Sequence, residues 1–111
     1  MDWYLTKIVY RIVCGDGHHR PQFDEQLRLI QASGSSEAFE KATSLGQQEA
    51  FSFLNHKQQI VHWQFINIAE LNKLPVLDNG VELYSRVEEA DHAGKFIELI
   101  NHKAEIIRSS V

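Results

Sequence analysis

Two hydrophobic periods alternate along this chain. From Trp3 to Cys14 the apolar residues follow a period of two. Tyr4, Ile8, Tyr10 and Ile12 share one face of an extended segment, and Trp3, Leu5, Val9 and Val13 share the other with Lys7 and Arg11. That period, with its Val, Ile, Tyr and Trp content, predicts a strand with one apolar and one mixed face. The cluster Gly15-Asp16-Gly17-His18-His19-Arg20-Pro21 breaks it as a turn. Phe23 to Ala32 predicts a second strand with Phe23, Leu27 and Leu29 on one side, and the short connection implies an antiparallel hairpin.

The period then lengthens. Ser33-Gly34-Ser35-Ser36 supplies helix N-cap candidates, and Glu37 is placed to meet the helix dipole. Ala38, Phe39, Ala42 and Leu45 have helical spacing, and Gly46 predicts a bend or an end. Gln47 to Leu54 reads as a continuation of that helix or as a second short one. Gln59 to Leu71 returns to strand character, with Val61, Trp63, Phe65, Ala69 and Leu71 on one face and His62, Gln64, Ile66 and Ile68 on the other. Pro75 closes it, and Asp78-Asn79-Gly80 is a turn signal. Val81 to Val87 predicts a fourth strand with Val81, Leu83 and Val87 inward. Asp91 is an N-cap candidate for a last helix, in which Ala93, Phe96, Ile97, Ile100, Ala104 and Ile107 form an apolar stripe. Lys103 and Arg108 suit the C-terminal end of its dipole.

The resulting order, ββαββα, predicts an α+β two-layer sandwich: a four-stranded, mainly antiparallel sheet with both helices on one face. In this reading the other sheet face carries residues such as Tyr4, Tyr10 and Ile12, or Ile66 and Ile68. An apolar sheet face of that size calls for a cover, and a homodimer is the expected one.

Composition narrows the function. A chain of 111 residues is expected to form one domain. Its 11 basic and 15 acidic residues are scattered and sum to a net charge of −4, which argues against a phosphate-backbone partner. A lone cysteine, Cys14, suits a reducing compartment. The N-terminus lacks a basic leader ahead of an apolar stretch, and no apolar run approaches a membrane span. These features predict a cytoplasmic protein with neither a nucleic acid nor a membrane as partner.

Candidate chemistry is sparse. Cys14, Asp16, His18 and His19 are residue types that hold zinc or nickel, yet adjacent histidines on a turn seldom aim at one ion, and no Cys-x-x-Cys or His-Glu-x-x-His spacing accompanies them. A solvated turn, with no metal and no cofactor, is the preferred reading. Cys14 with His18 or His19 as base would make a nucleophile, but a free cysteine ending a strand is more often packed into the core. Glu82, Tyr84 and Arg86 alternate to one side of the predicted fourth strand, with Ser85 on the other. A charged cluster on a sheet face is the plainer account; the functional one is a pocket in which Arg86 holds a carboxylate or phosphate. Trp63 and Phe65 read as core, and Trp3 as core or interface. His56, His62, His92 and His102 are isolated.

Three stretches resemble a bacterial family, domain of unknown function 4288. They are Trp3-Tyr4-Leu5-Thr6-Lys7-Ile8-Val9; Glu25 to Ala32 with Glu37-Ala38-Phe39-Glu40-Lys41-Ala42 and Leu45-Gly46; and Val61-His62-Trp63-Gln64-Phe65 with Gly80-Val81-Glu82-Leu83-Tyr84-Ser85-Arg86. The resemblance covers about Trp3 to Arg86. It implies a small intracellular ββαββα protein and assigns no activity, cofactor or site residue. The hairpin loop from Cys14 to Pro21 departs from the family's pattern, being longer and richer in Gly and His, and the helix after Asp91 lies outside the resemblance. The sequence thus points to a non-enzymatic interaction or structural protein that self-associates. A module for a small anionic ligand, built on Glu82, Tyr84 and Arg86, is the alternative.

Overall fold

The computed structural model describes residues 1–111. Its elements are β1 (Asp2–Cys14), β2 (Gln22–Ala32), α1 (Ser35–Gln48), β3 (Phe51–Leu54), β4 (Ile60–Lys73) and α2 (Ala93–Ser110). The α+β class and the ββαββα order are as expected. The sheet runs β2-β1-β4-β3 with every pairing antiparallel.

The order is reached with a different set of strands. Gln47 to Leu54 does not continue the helix: after Glu49 the chain turns into β3, where Phe51 pairs with Trp63 and Phe53 with Val61. Val81 to Val87 forms no strand. β3 takes the place beside the Ile60–Trp63 end of β4, and the segment after β4 runs instead to Lys7 of β1, over which the Tyr84 ring lies. The turn at Asp78-Asn79-Gly80 does form, closed by Val81 N–H donating to the Asp78 carbonyl, with Gly80 at φ 82°.

β1 pairs with β2 in unbroken register from Asp2 opposite Ala32 to Ile12 opposite Gln22. Its register against β4 slips twice, between Lys7 and Ile8 and between Val9 and Tyr10. Each slip adds a residue to β4, bends the strand and raises its twist, and the sheet curls into a half-barrel. The slips also change the phase of β4. Ile68 stands opposite Ile8 and Leu71 opposite Thr6, so Ile68, rather than Ala69, joins Phe65 and Leu71 on the face that carries Tyr4 and Ile8.

That face lies under α1, which corrects the expectation that Tyr4, Tyr10 and Ile12 occupy the open side. Tyr4, Ile30, Ala32, Ala38 and Ala42 form the core cluster, with Leu45, Ile68 and Leu71 packed on it. α1 turns Ala38, Ala42 and Gly46 to the sheet, and these small side chains let the helix approach closely. Tyr10 Oη donates to the Gly46 carbonyl at 2.8 Å. At the N-terminus Gly34 is the extended cap residue and offers no side chain. Glu37 reaches back instead, accepting from the N–H and hydroxyl of Ser33, while Lys41 bridges Glu37 and the Gln31 carbonyl. At the other end Arg28 of β2 pairs with Glu49 through two contacts of 2.6 and 3.1 Å.

The second helix departs from the expected plan. α2 packs on no other element and buries none of its residues; the two helices therefore do not share a face of the sheet. Its cap residue is His92 rather than Asp91, and no side chain caps it. Only 12 of the 111 residues are buried. The radius of gyration is 18.3 Å, against about 13 Å for a compact chain of this length.

Candidate functional site

The second face of the sheet is built from the other parity of each strand: Trp3, Leu5, Lys7 and Val9 on β1, Phe23, Glu25, Leu27 and Leu29 on β2, Glu70 and Asn72 on β4. Lys7 organises its centre. Its ammonium lies 3.0 Å from Glu70 Oε2 and 3.5 Å from Glu25 Oε1, and 5.6 Å above the Tyr84 ring. Glu70 Oε2 is buried with that ammonium as its one partner. The hydrogen bond to Glu70 holds the Lys7 ammonium above its ordinary value. This lysine is thus held charged, the opposite of what an amine nucleophile requires. Its signal in the sequence is a cation in the middle of an apolar strand, a signal that Arg11 shares.

The segment after β4 lies across the β1 and β4 side of this face. Leu74 is buried and its N–H donates to the Trp3 carbonyl at 2.8 Å, and Tyr84 reaches Lys7 as described. A shallow cleft of about 340 Å³ opens between this segment and β4, lined by Glu70, Asn72, Lys73, Glu82, Tyr84 and Ser85 among others. Glu82 and Tyr84 are therefore brought together. Arg86 is not: its guanidinium pairs with Glu88 at 2.9 Å in solvent, and it lines no cleft. With two carboxylates and one lysine, this cleft carries a charge lining unfavourable to an anion.

The hairpin loop places Cys14, Asp16, His18 and His19 around a shallow hollow of about 440 Å³, but each has a structural partner. Cys14 N–H donates to His19 Nε2 at 3.0 Å. With Nε2 accepting, Nδ1 carries the proton and donates to the Arg20 carbonyl at 2.8 Å. His19 therefore meets the Cys14 backbone, not its thiol. The thiol donates to Gln59 Oε1 at 3.4 Å and accepts from Asn55 Nδ2 at 3.5 Å. Asp16 accepts from His18 N–H at 3.0 Å and lies 3.2 Å from its ring Nδ1. Nowhere do three or more His, Cys, Asp or Glu side chains gather in a metal-holding arrangement.

A third cleft of about 320 Å³, lined by Tyr10, Gln26, Arg28, Glu49, Phe51 and Trp63, lies beyond the C-terminus of α1. Nothing in the sequence marks it, because Phe51 to Leu54 carries no strand signal of its own. Phe51 stacks on Trp63 with centroids 5.2 Å apart, and Phe53 stacks on Phe51. Trp63 Nε1 and Gln26 Nε2 both donate to Asp24 Oδ2, at 3.0 and 2.7 Å. Arg28 is occupied by Glu49 and Gln26, and burial pushes the Tyr10 phenol up. Every polar group on this wall is already paired within the fold.

Several surfaces left open by the fold are apolar, among them Phe51, Phe53, Leu54 and Ile60 around β3. On β2, Phe23, Leu27 and Leu29 are each about half exposed. On α2, Phe96, Leu99, Ile100, Ile106 and Ile107 are likewise open to solvent. At 100° per residue these α2 side chains, with Ala93, Ile97 and Ala104, fill about half of the helix circumference. Lys103 is the one charge inside that arc.

Fold and surfaces together define a small antiparallel α+β module with a well-covered first face, a partly covered second face and a free amphipathic helix. The chain belongs to the family described as Domain of unknown function (DUF4288), whose model matches residues 3–85. No curated protein and no solved structure matches it. The family match takes in Tyr84 and ends before Arg86 and α2. No helix is long and apolar enough to cross a membrane.

Proposed function

We propose that this protein is a non-enzymatic interaction module that acts in the cytoplasm as a homodimer. The observation that carries the reading is α2. Its apolar half packs on no other helix or strand of its own chain, and helices in proteins draw most of their stability from packing such a face. Fully burying an Ile, Leu or Phe side chain contributes roughly 1.5–3 kcal/mol, so five half-open ones constitute a strong drive to associate. The half-exposed Phe23, Leu27 and Leu29 on β2 supply a second surface of the same kind. The lone cysteine fits a reducing compartment. The ligand-binding alternative has no observation of equal weight, since Arg86 is engaged by Glu88.

Native mass spectrometry of the untagged chain at tens of micromolar tests the reading. A dimer is expected, and Ile100→Asp is expected to weaken it at least about ten-fold, as a charge in the centre of an interface does. A strictly monomeric wild type at that concentration would remove self-association as the function.

A further inference from the structure

Two of the open apolar surfaces, on β2 and on α2, match each other in length, spacing and charge. On β2 the open parity reads Phe23, Glu25, Leu27, Leu29: an apolar row with one acid in it. On α2 the open arc contains one base, Lys103. At about 3.3 Å per strand residue, Glu25 stands about 7 Å from the level of Phe23 and about 13 Å from that of Leu29. At about 1.5 Å per helical residue, Lys103 stands about 6 Å from the level of Ile107 and about 10 Å from that of Phe96. Setting Lys103 over Glu25, with α2 antiparallel to β2, therefore lays Ile107 near Phe23 and Phe96 near Leu29. No other alignment joins the two charges and keeps both apolar ends covered, because the uneven spacing on either side fixes the direction.

Glu25 is free to take this partner. Its side chain is 61% exposed, and Lys7, its neighbour at 3.5 Å, is held more closely by Glu70 at 3.0 Å. The chain's own α2 leaves this surface bare, because the segment after β4 crosses the same face on the β1 and β4 side and α2 then packs on no element. A second copy closes both surfaces at once: a twofold axis that lays one α2 on the partner's β2 lays the other reciprocally.

On this basis, and resting on the self-association reading above, we propose that α2 of each protomer docks on the open face of the other protomer's β2, with Lys103 against Glu25. The interface is an exchange of helices, and the charge pair sets its register.

Two single reversals test it. In Glu25→Lys two ammonium groups face each other at both interfaces, and in Lys103→Glu two carboxylates do. Each variant alone is expected to dimerise at least about ten-fold more weakly than wild type. Mixed in equal amounts, they are expected to form a heterodimer in which one interface pairs the two native residues and the other pairs the two reversed ones, so that neither interface sets like charges together only if the exchange is reciprocal. In detail, α2 of the Glu25→Lys chain brings Lys103 to the native Glu25 of its partner, and α2 of the Lys103→Glu chain brings a carboxylate to the introduced ammonium. Native mass spectrometry resolves the three species. A wild-type dimer whose strength neither reversal changes, or a mixture without heterodimer, overturns the exchange and leaves self-association standing; a monomeric wild type overturns self-association itself. Because the ammonium introduced at position 25 would stand beside Lys7, a second pair guards against misfolding. A Glu25→Cys chain mixed with a Lys103→Cys chain, both carrying Cys14→Ser, is expected to give a heterodimer cross-linked by a short bismaleimide, whose spacer covers the backbone separation of a Lys–Glu pair where a direct disulfide would not, and its absence overturns the exchange as well.

Discussion

Thr6 carries a hydroxyl that is fully buried under α1 and has no hydrogen-bond partner. An unpaired buried hydroxyl costs about 1–3 kcal/mol, and valine has nearly the same shape. Thr6→Val is therefore expected to stabilise the fold by about 1–2 kcal/mol, read as a raised urea midpoint at unchanged slope. Gly46 works in the opposite sense. A methyl added there would fall well inside contact distance of the Phe65 ring and 3.2 Å from Ile8 Cγ2. Alanine improves helix propensity by about 1 kcal/mol, but the ring packs edge-on to Tyr10 at 6.1 Å and has little room to give. Overpacking wins, and Gly46→Ala is expected to destabilise by about 1–2 kcal/mol in the same assay. From the sequence Gly46 reads as a helix breaker. Its actual role, to let a helix approach a sheet, depends on a ring nineteen positions further along the chain.

At the scale of elements, α1 is legible because its small residues recur at helical spacing and its acidic first turn stands where the dipole is positive. The pinning of that turn makes stability depend on pH. Hydrogen bonds from the Ser33 hydroxyl, from Lys41 and from the Ser33 N–H lower the Glu37 carboxyl to about 2. Its unfolded value is about 4.3. A group depressed in the folded state stabilises fully above its unfolded value and loses that contribution as pH falls toward the folded one. Glu37→Gln is expected to lower the urea midpoint at neutral pH, and the difference from wild type is expected to vanish as pH falls from about 4.5 to 2. The element that the sequence misplaces, β3, is four residues long with all four exposed. So short a segment has no period of its own, and its state is decided by pairing with β4. The interior of β4 is hidden for a related reason: a strict two-residue alternation cannot represent two added residues, and only the register against β1 reveals them.

The whole molecule is an incompletely covered fold. One face of its sheet is sealed by a helix tied down at both ends; the other carries a partly exposed ion pair, an irregular segment and an open apolar row. If α2 finds its cover on a second copy, unfolding and dissociation are linked, and the melting temperature rises with protein concentration. A hundred-fold dilution is expected to lower the wild-type midpoint by several degrees, whereas Ile100→Asp melts at a concentration-independent and lower temperature. Differential scanning fluorimetry across that range measures both. A concentration-independent wild type would mean that α2 contributes nothing to stability through a partner.

The amino-acid sequence by itself determined the class, the hairpin of β1 and β2, the α1 helix and the amphipathic character of α2. All of these depend on local period, turn residues and capping, which act over a few positions. It also marked Cys14, Asp16, His18, His19, Glu82, Tyr84 and Arg86 as the residues with chemistry to offer. Only the tertiary structure decided what they meet: a backbone N–H for His19, an amide for the Cys14 thiol, a lysine for Tyr84 and a glutamate for Arg86. Which strand fills the last place in the sheet, which sheet face α1 covers, and the bare surface left for α2 belong to the same class. They turn on contacts between residues far apart in the chain, where long-range strand pairing and close packing, rather than local preference, select among the arrangements that the pattern permits.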